Sequence, residues 1–409
     1  MPFLMIGCGS TVRTFCSQSA QKSQLIGESM NQTESHNFSL LLQNYMRDIR
    51  PTDRLPKEDM RPVLMGLFGE VGSIMAPAKK LHREKEAYPS YQAAVEEEFG
   101  DTLWYFAALA RRLGYDFASI FLEAFDARQS TMFNVNDPTS NSALNPAITP
   151  STLTILDDAL VALGTAASAL LLLEDHPEQP LVLLHTFAQK YLLAISASKV
   201  DFKLIVNRNL SKVRGRFLVP DPNTLPTFDF GFHEDERLPE NFEILIKQRS
   251  NGQSCLQWNG VFIGDPLTDN IGDPDGFRFH DIFHFSHAAI LHWSPTFRAL
   301  IKHKRKSDRA IEEAQDSGRA IVVEEGLTAW LFARSKDMNF FDNQTSVSFD
   351  LLKTVHQFVR GYEVEACPLK LWEEAILQGY KVFRQVRAHE GGIITGCRKD
   401  RTLSFRPIN

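Results

Sequence analysis

Cysteine is scarce and scattered in this chain. Cys8, Cys16, Cys255, Cys367 and Cys397 show no metal-type pair spacing, which argues against a disulfide framework or a thiolate zinc site. Reduced thiols in a cytoplasmic protein are the expected state. Long apolar runs are also missing, none approaching the length of a membrane span, so no membrane partner is expected. Neither sign of charge dominates. Fifty acids against 44 bases give a formal net charge of −6, which argues against general nucleic-acid binding but not against local basic patches. Acids are absent before Glu28, and the opening apolar run is too short for a secretory signal. Residues 1–36 are expected to be a disordered leader, with Met30 as the functional start. A weak organelle transit peptide is the alternative.

Helical periodicity runs through most of the 409 residues, predicting an all-α protein of two mostly helical domains with minor β structure. Helices are expected over 37–50, 60–83, about 91–113, 153–174, 181–197 and 203–217. Pro77 should kink the second of these, because it cannot donate to the carbonyl of Ser73. Residues 130–152 hold three prolines and many Asn, Ser and Thr residues, so they read as a mobile insertion. The acidic, proline-bearing stretch 219–241 reads as a linker. This divides the chain into a first domain, 37–218, and a second, 242–409.

The densest chemistry of the first half lies in VEEEFGDTLWYFAALARRLG, residues 95–114. Glu98 and Asp101 are three residues apart, so on a helix they share a face one turn from each other. Such a pair is costly to bury unless it is protonated or bridged by a cation, and carboxylate oxygens suit Mg²⁺. The plainer reading is an acidic first turn favoured by the helix dipole, with Trp104 and Phe106 as core. Upstream, GLFGEVGSIMAPAKKLHRE carries Glu70, Lys79 and Lys80. A glutamate on one helix facing an E-x-x-D pair on the next is how helical bundles assemble carboxylate metal sites.

The pair GEVGS and EEEFGDTLWYF resembles the signature of the MazG-type all-α nucleoside triphosphate pyrophosphohydrolases, a group that includes the dCTP pyrophosphatases. Their E-x-x-E…E-x-x-D acids fall on Glu70, Glu98 and Asp101, while Ser73 stands where the fourth acid would be. KLIVNRNLSKVRGRF, residues 203–217, resembles the family's closing helix, with Asn209, Lys212 and Arg216 in its N-x-x-K-x-x-x-R pattern. The resemblance spans about 38–218. It implies cleavage of a nucleoside triphosphate to the monophosphate and pyrophosphate, with Mg²⁺ or Mn²⁺ on Glu70, Glu98 and Asp101. Glu97 would orient or deprotonate the attacking water, next to the ligand Glu98. Lys79, Lys80, Lys212 and Arg216 would balance phosphate charge, and Trp104 would flank the base. A homo-oligomer, in the simplest case a dimer, is expected. Ser73 is a poorer Mg²⁺ ligand than a carboxylate, which keeps open a nucleotide-binding regulatory or scaffold protein with a degenerate site.

The second half carries its own cluster. A hairpin is expected around Asn259-Gly260, and a strand pair after the glycine turn near residue 391. An aspartate-rich loop, 265–275, precedes a helix on which His280, His284 and His287 line one face. His280, Asp281, His284 and Glu324 together would form a mixed nitrogen/oxygen site for a transition metal, supporting a second metal-dependent hydrolase. The alternative is histidines satisfied in an aromatic core. Lys302–Arg309 reads as a solvated loop or a phosphate-contacting one. EEGLTAWLFA aligns with EFGDTLWYFA from Glu324 and Glu98, with Leu327 in place of Asp101. The second half is therefore either a divergent copy of the first helical unit or a chance agreement between amphipathic helices.

Overall fold

A computed structural model describes residues 32–84, 91–126, 150–173 and 179–408. Among them the chain forms two compact units, divided between Arg214 and Gly215. The architecture is mostly helical with one small antiparallel sheet. The expected leader and the insertion 130–152 lie largely outside the described residues. Residues 32–36, expected in the leader, are helical.

Among the described residues, the first unit has seven α-helices: α1 (Gln32–Ile49), α2 (Arg61–Glu84), α3 (Tyr91–Leu113), α4 (Phe117–Asp126), α5 (Pro150–Leu170), α6 (Pro180–Ser198) and α7 (Phe202–Phe217), which runs across the unit boundary. In α3, Val95, Phe99, Leu103, Phe106 and Ala110 recur at helical spacing and are buried. Phe106, Phe117, Phe121, Phe187 and Tyr191 form a connected aromatic core around them. The α2 helix runs unbroken from Arg61 to Glu84 with Pro77 buried inside it.

One expectation about apolar runs needs correcting. Helix α6 is long and apolar enough, by length and composition alone, to cross a membrane. Here Leu184, Phe187, Tyr191, Leu192 and Ile195 are buried within the unit, so burial among helices accounts for its composition.

The second unit wraps helices around a five-stranded antiparallel sheet ordered β3-β2-β1-β4-β5. Its strands are β1 (Asn241–Gln248), β2 (Ser254–Trp258), β3 (Val261–Leu267), β4 (Gly391–Cys397) and β5 (Thr402–Arg406). The predicted hairpin is there: Trp258 pairs with Val261, and Asn259 and Gly260 both have positive φ, as a type I′ turn requires. The sequence reading overlooked β1. Its NFEILIKQ alternates exposed and buried, with Phe242, Ile244 and Ile246 turned inward.

The helices are α8 (Asp281–Ser286), continued by a π-helical turn over His287–Leu291, then α9 (Pro295–Ile301), α10 (Gly318–Lys336), α11 (Phe349–Phe358) and α12 (Leu369–His389). Phe283, Phe332, Tyr380 and Phe383 stack at the centre of the unit's core.

The stretch expected as a linker, 219–241, lies in this second unit. Asp229 is buried, accepting hydrogen bonds from Arg298 at 2.6 Å, Arg398 at 2.8 Å and the Leu238 amide at 2.8 Å. The basic run 302–309 is solvated except at Arg305, which is fully buried and paired with Asp316 at 2.7 Å and Glu363 at 2.6 Å. A buried guanidinium is tolerable only when paired in this way.

Candidate functional site

Helices α2, α3 and α7 bring the first acidic cluster together. Glu70 comes from α2, Glu97, Glu98 and Asp101 from α3, and Asn209 and Lys212 from α7. Gly100 makes the close approach possible, since a Cβ there would lie 2.9 Å from the Cβ of Asn209. With α7 held that near, the Asn209 amide donates to Asp101 Oδ1 at 3.1 Å. Lys212 Nζ reaches Asp101 Oδ2 at 2.5 Å and Glu97 Oε1 at 2.9 Å. Tyr45, from the buried stripe of α1, donates to Asn209 Oδ1 at 2.7 Å and so fixes which end of the amide faces Asp101.

Glu70, Glu98 and Asp101 each offer a carboxylate oxygen, and the three lie within 4.8 Å of one another. The electrostatics reflect that crowding. Burial, then the charges of Asp101 and Glu98, raise the Glu70 carboxyl to about 7, with Lys212 only partly offsetting them. Burial pulls the Lys212 ammonium down, yet Asp101 and Glu97 outweigh it and its pKa is raised. The raised Glu70 carboxyl marks a site where gathered carboxylates repel one another. The all-oxygen donor set fits a hard divalent cation.

Other expected site residues lie elsewhere. Trp104 is buried, donates from Nε1 to Thr52 Oγ1 at 2.9 Å and packs edge-on against Tyr105. It supports the core rather than opening to a base. Arg216 belongs to the second unit, where it is largely buried with Glu373 Oε2 at 2.8 Å and the Val347 carbonyl at 2.7 Å, so it is committed to that fold. Lys79 and Lys80 are exposed on α2, about 14 Å along the helix axis from Glu70 at the usual rise. Ser73 lies one turn beyond Glu70, partly exposed.

In the second unit, α8, the π turn and α10 gather histidines and acids. The expected residues form two overlapping groups, His280–Asp281–His284 and His284–His287–Glu324, all buried. Glu324 Oε1 lies 3.2 Å from His284 Nδ1 and 2.9 Å from His287 Nδ1. Its Oε2 accepts from Ser294 Oγ at 3.1 Å and the Thr296 amide at 2.9 Å. Glu325, which sequence reasoning missed although it adjoins Glu324, faces His284 Nε2 at 3.2 Å and His280 Nε2 at 3.4 Å. His287 had been placed on the histidine stripe but not among the ligands.

Burial opposes charge on His284, yet Glu324 and Glu325 outweigh it and raise its pKa. Burial likewise opposes ionisation of Glu324, and His284 and His287 hold its carboxyl below the usual range. Two of the loop aspartates serve the fold: Asp269 accepts from the Arg278 amide and guanidinium, and Asp275 from the Phe277 amide.

Residues 223–409 match the MazG C-terminal domain family, a little under half of the chain. Neither a curated protein nor a solved structure matches. The C-terminal part of the chain is thereby related to the MazG family, while the acidic cluster of the first unit stands on its own residues.

Proposed function

We propose that the first unit is a divalent-metal-dependent nucleoside triphosphate pyrophosphohydrolase. The observation that carries this reading is the convergence of Glu70, Glu98 and Asp101 within 4.8 Å, with Lys212 bridging Asp101 and Glu97. The MazG relationship of the C-terminal part points to the same family of nucleotide chemistry.

Mg²⁺ or Mn²⁺ held by those carboxylates would neutralise phosphate charge and acidify a bound water. Glu97 orients the attacking water and accepts its proton. The water oxygen bonds to the α-phosphorus, the bond from that phosphorus to the α–β bridging oxygen breaks, and pyrophosphate leaves. Lys212 supplies positive charge on the same acidic face, where it offsets charge moving to the leaving group. Asn209, oriented by Tyr45, keeps Asp101 in place through the reaction.

The test is a pyrophosphate-release screen of common ribo- and deoxyribonucleoside triphosphates with Mg²⁺ and with Mn²⁺. Equal yields of monophosphate and pyrophosphate from at least one substrate are expected. Ser73 favours a second reading, a nucleotide-binding protein with a weakened metal site. In that case the screen shows nucleotide binding without turnover.

A further inference from the structure

We infer that the second unit holds a transition-metal ion on His284, His287 and Glu324, separate in chemistry from the acidic cluster of the first unit. Three observations carry it.

The first is a buried imidazole enclosed by carboxylates. His284 is completely buried, with a Glu324 oxygen 3.2 Å from Nδ1 and a Glu325 oxygen 3.2 Å from Nε2, and one donor atom each from His284, His287 and Glu324 lies within 4.8 Å of the other two. The approaches have the spacing of ligands around a common centre. Donors about 2.0–2.1 Å from a tetrahedral ion lie about 3.3 Å apart. The observed edges are 3.2 Å from His284 Nδ1 to Glu324 Oε1 and 2.9 Å from His287 Nδ1 to the same oxygen.

The second is that the surroundings already hold the ligands as outer-shell groups do. Ser294 and Thr296 hold Oε2 of Glu324, which aims Oε1 at the two imidazoles. Glu325 stands on the far nitrogen of His284, where a carboxylate sets the tautomer of a ligating histidine. His280 is turned away, its Nδ1 on the Phe277 carbonyl and its Nε2 toward Glu325. It completes that outer layer and leaves the ion three protein ligands.

The third is the backbone. The chain departs from α-helix at His287, where the π turn begins. Such turns are rare and collect at functional sites. Buried polar atoms without a hydrogen bond belong to residues adjoining the cluster. They are Thr296 Oγ1, Thr328 Oγ1 one turn past Glu324, and the indole nitrogens of Trp293 and Trp372, whose rings contact His287.

Two imidazoles and one carboxylate select Zn²⁺, Fe²⁺ or Mn²⁺ over Mg²⁺. Two nearby carboxylates, Glu324 and Glu325, match its charge.

The test uses the full chain, stripped with a chelator and titrated with Zn²⁺ and with Co²⁺ under excess Mg²⁺. One Zn²⁺ bound per chain is expected, with Co²⁺ giving visible bands of low-symmetry nitrogen/oxygen ligation and no thiolate charge-transfer band. His287→Asn should lower Zn²⁺ affinity at least 100-fold, and Asp101→Asn should leave it unchanged. Should His287→Asn fail to fold, the Co²⁺ spectrum of the unaltered protein and a rise of its melting temperature with Zn²⁺ carry the test. No uptake under excess Mg²⁺, a thiolate spectrum, or unchanged affinity in folded His287→Asn overturns the assignment. None of these readouts depends on nucleotide turnover.

Discussion

The two polar clusters of this chain solve the problem of gathered charge in opposite ways. In the first unit, Glu70, Glu98 and Asp101 are partly exposed and crowded together, with Lys212 on Asp101. In the second, Glu324 is fully buried but every oxygen faces a donor or an imidazole. A crowded, accessible acidic cluster suits a ligand that arrives with cations. A compensated, enclosed cluster is bound into the fold. Removing a carboxylate should therefore damage function in the first unit and stability in the second.

The largest expected effect is Glu324→Ala. It leaves His284 and His287 facing an empty volume and strips acceptors from Ser294 and Thr296, so unfolding in denaturant should show a loss of about 3–5 kcal/mol. A loss below 1 kcal/mol would erase the contrast. Glu98→Gln should do the reverse. Pyrophosphate release should fall at least 100-fold, about 2.7 kcal/mol in the barrier, while stability changes by less than about 1 kcal/mol because a repulsion is relieved.

A smaller effect concerns pH. Glu70 has a folded-state pKa raised to about 7 from 4.5, so the folded state disfavours its ionised form. The metal-free protein should lose stability as pH rises from about 4.5 to about 7 and level off above. The loss should be about 1 kcal/mol once solvent screening is discounted. Mg²⁺ should bind more tightly over the same interval, because it competes with the proton. Stability that rises with pH across this window in the absence of metal would contradict the electrostatics described. The smallest expected change is Ser73→Glu, which adds a carboxylate one turn from Glu70. A several-fold tightening of Mg²⁺, read by titration, would place Ser73 within reach of the ion, and no change would place it outside.

Much of this was legible beforehand, for identifiable reasons. Helices α2, α3, α6 and α7 announced themselves by apolar spacing, and the acidic cluster by Glu70 on one helix and the Glu98–Asp101 pair one turn apart on the next. Asn209 and Lys212 were visible through the closing-helix pattern. Arg216 was misplaced because a pattern on a helix does not show where a unit ends. Its partner Glu373 lies 157 residues away. Trp104 was misplaced because an indole beside an acidic turn looks like a stacking platform until Thr52, 52 residues upstream, claims its nitrogen. β1 was missed because eight residues of alternation followed a proline-rich stretch that looked like a tether. Its partner β4 starts more than 140 residues later. The role of Glu325 was hidden because adjacent helix positions point apart, and only the histidine helix packed between them joins the two glutamates.

The most direct test of the central claim is turnover of Asp101→Asn at saturating Mg²⁺, on the triphosphate the unaltered protein cleaves best. The substitution keeps shape and an acceptor for Asn209 while removing one ligand charge and one of the carboxylates that pair with Lys212. The account predicts a folded protein whose pyrophosphate release is reduced at least 100-fold. Undiminished release from that variant would place the chemistry outside the Glu70–Glu98–Asp101 cluster.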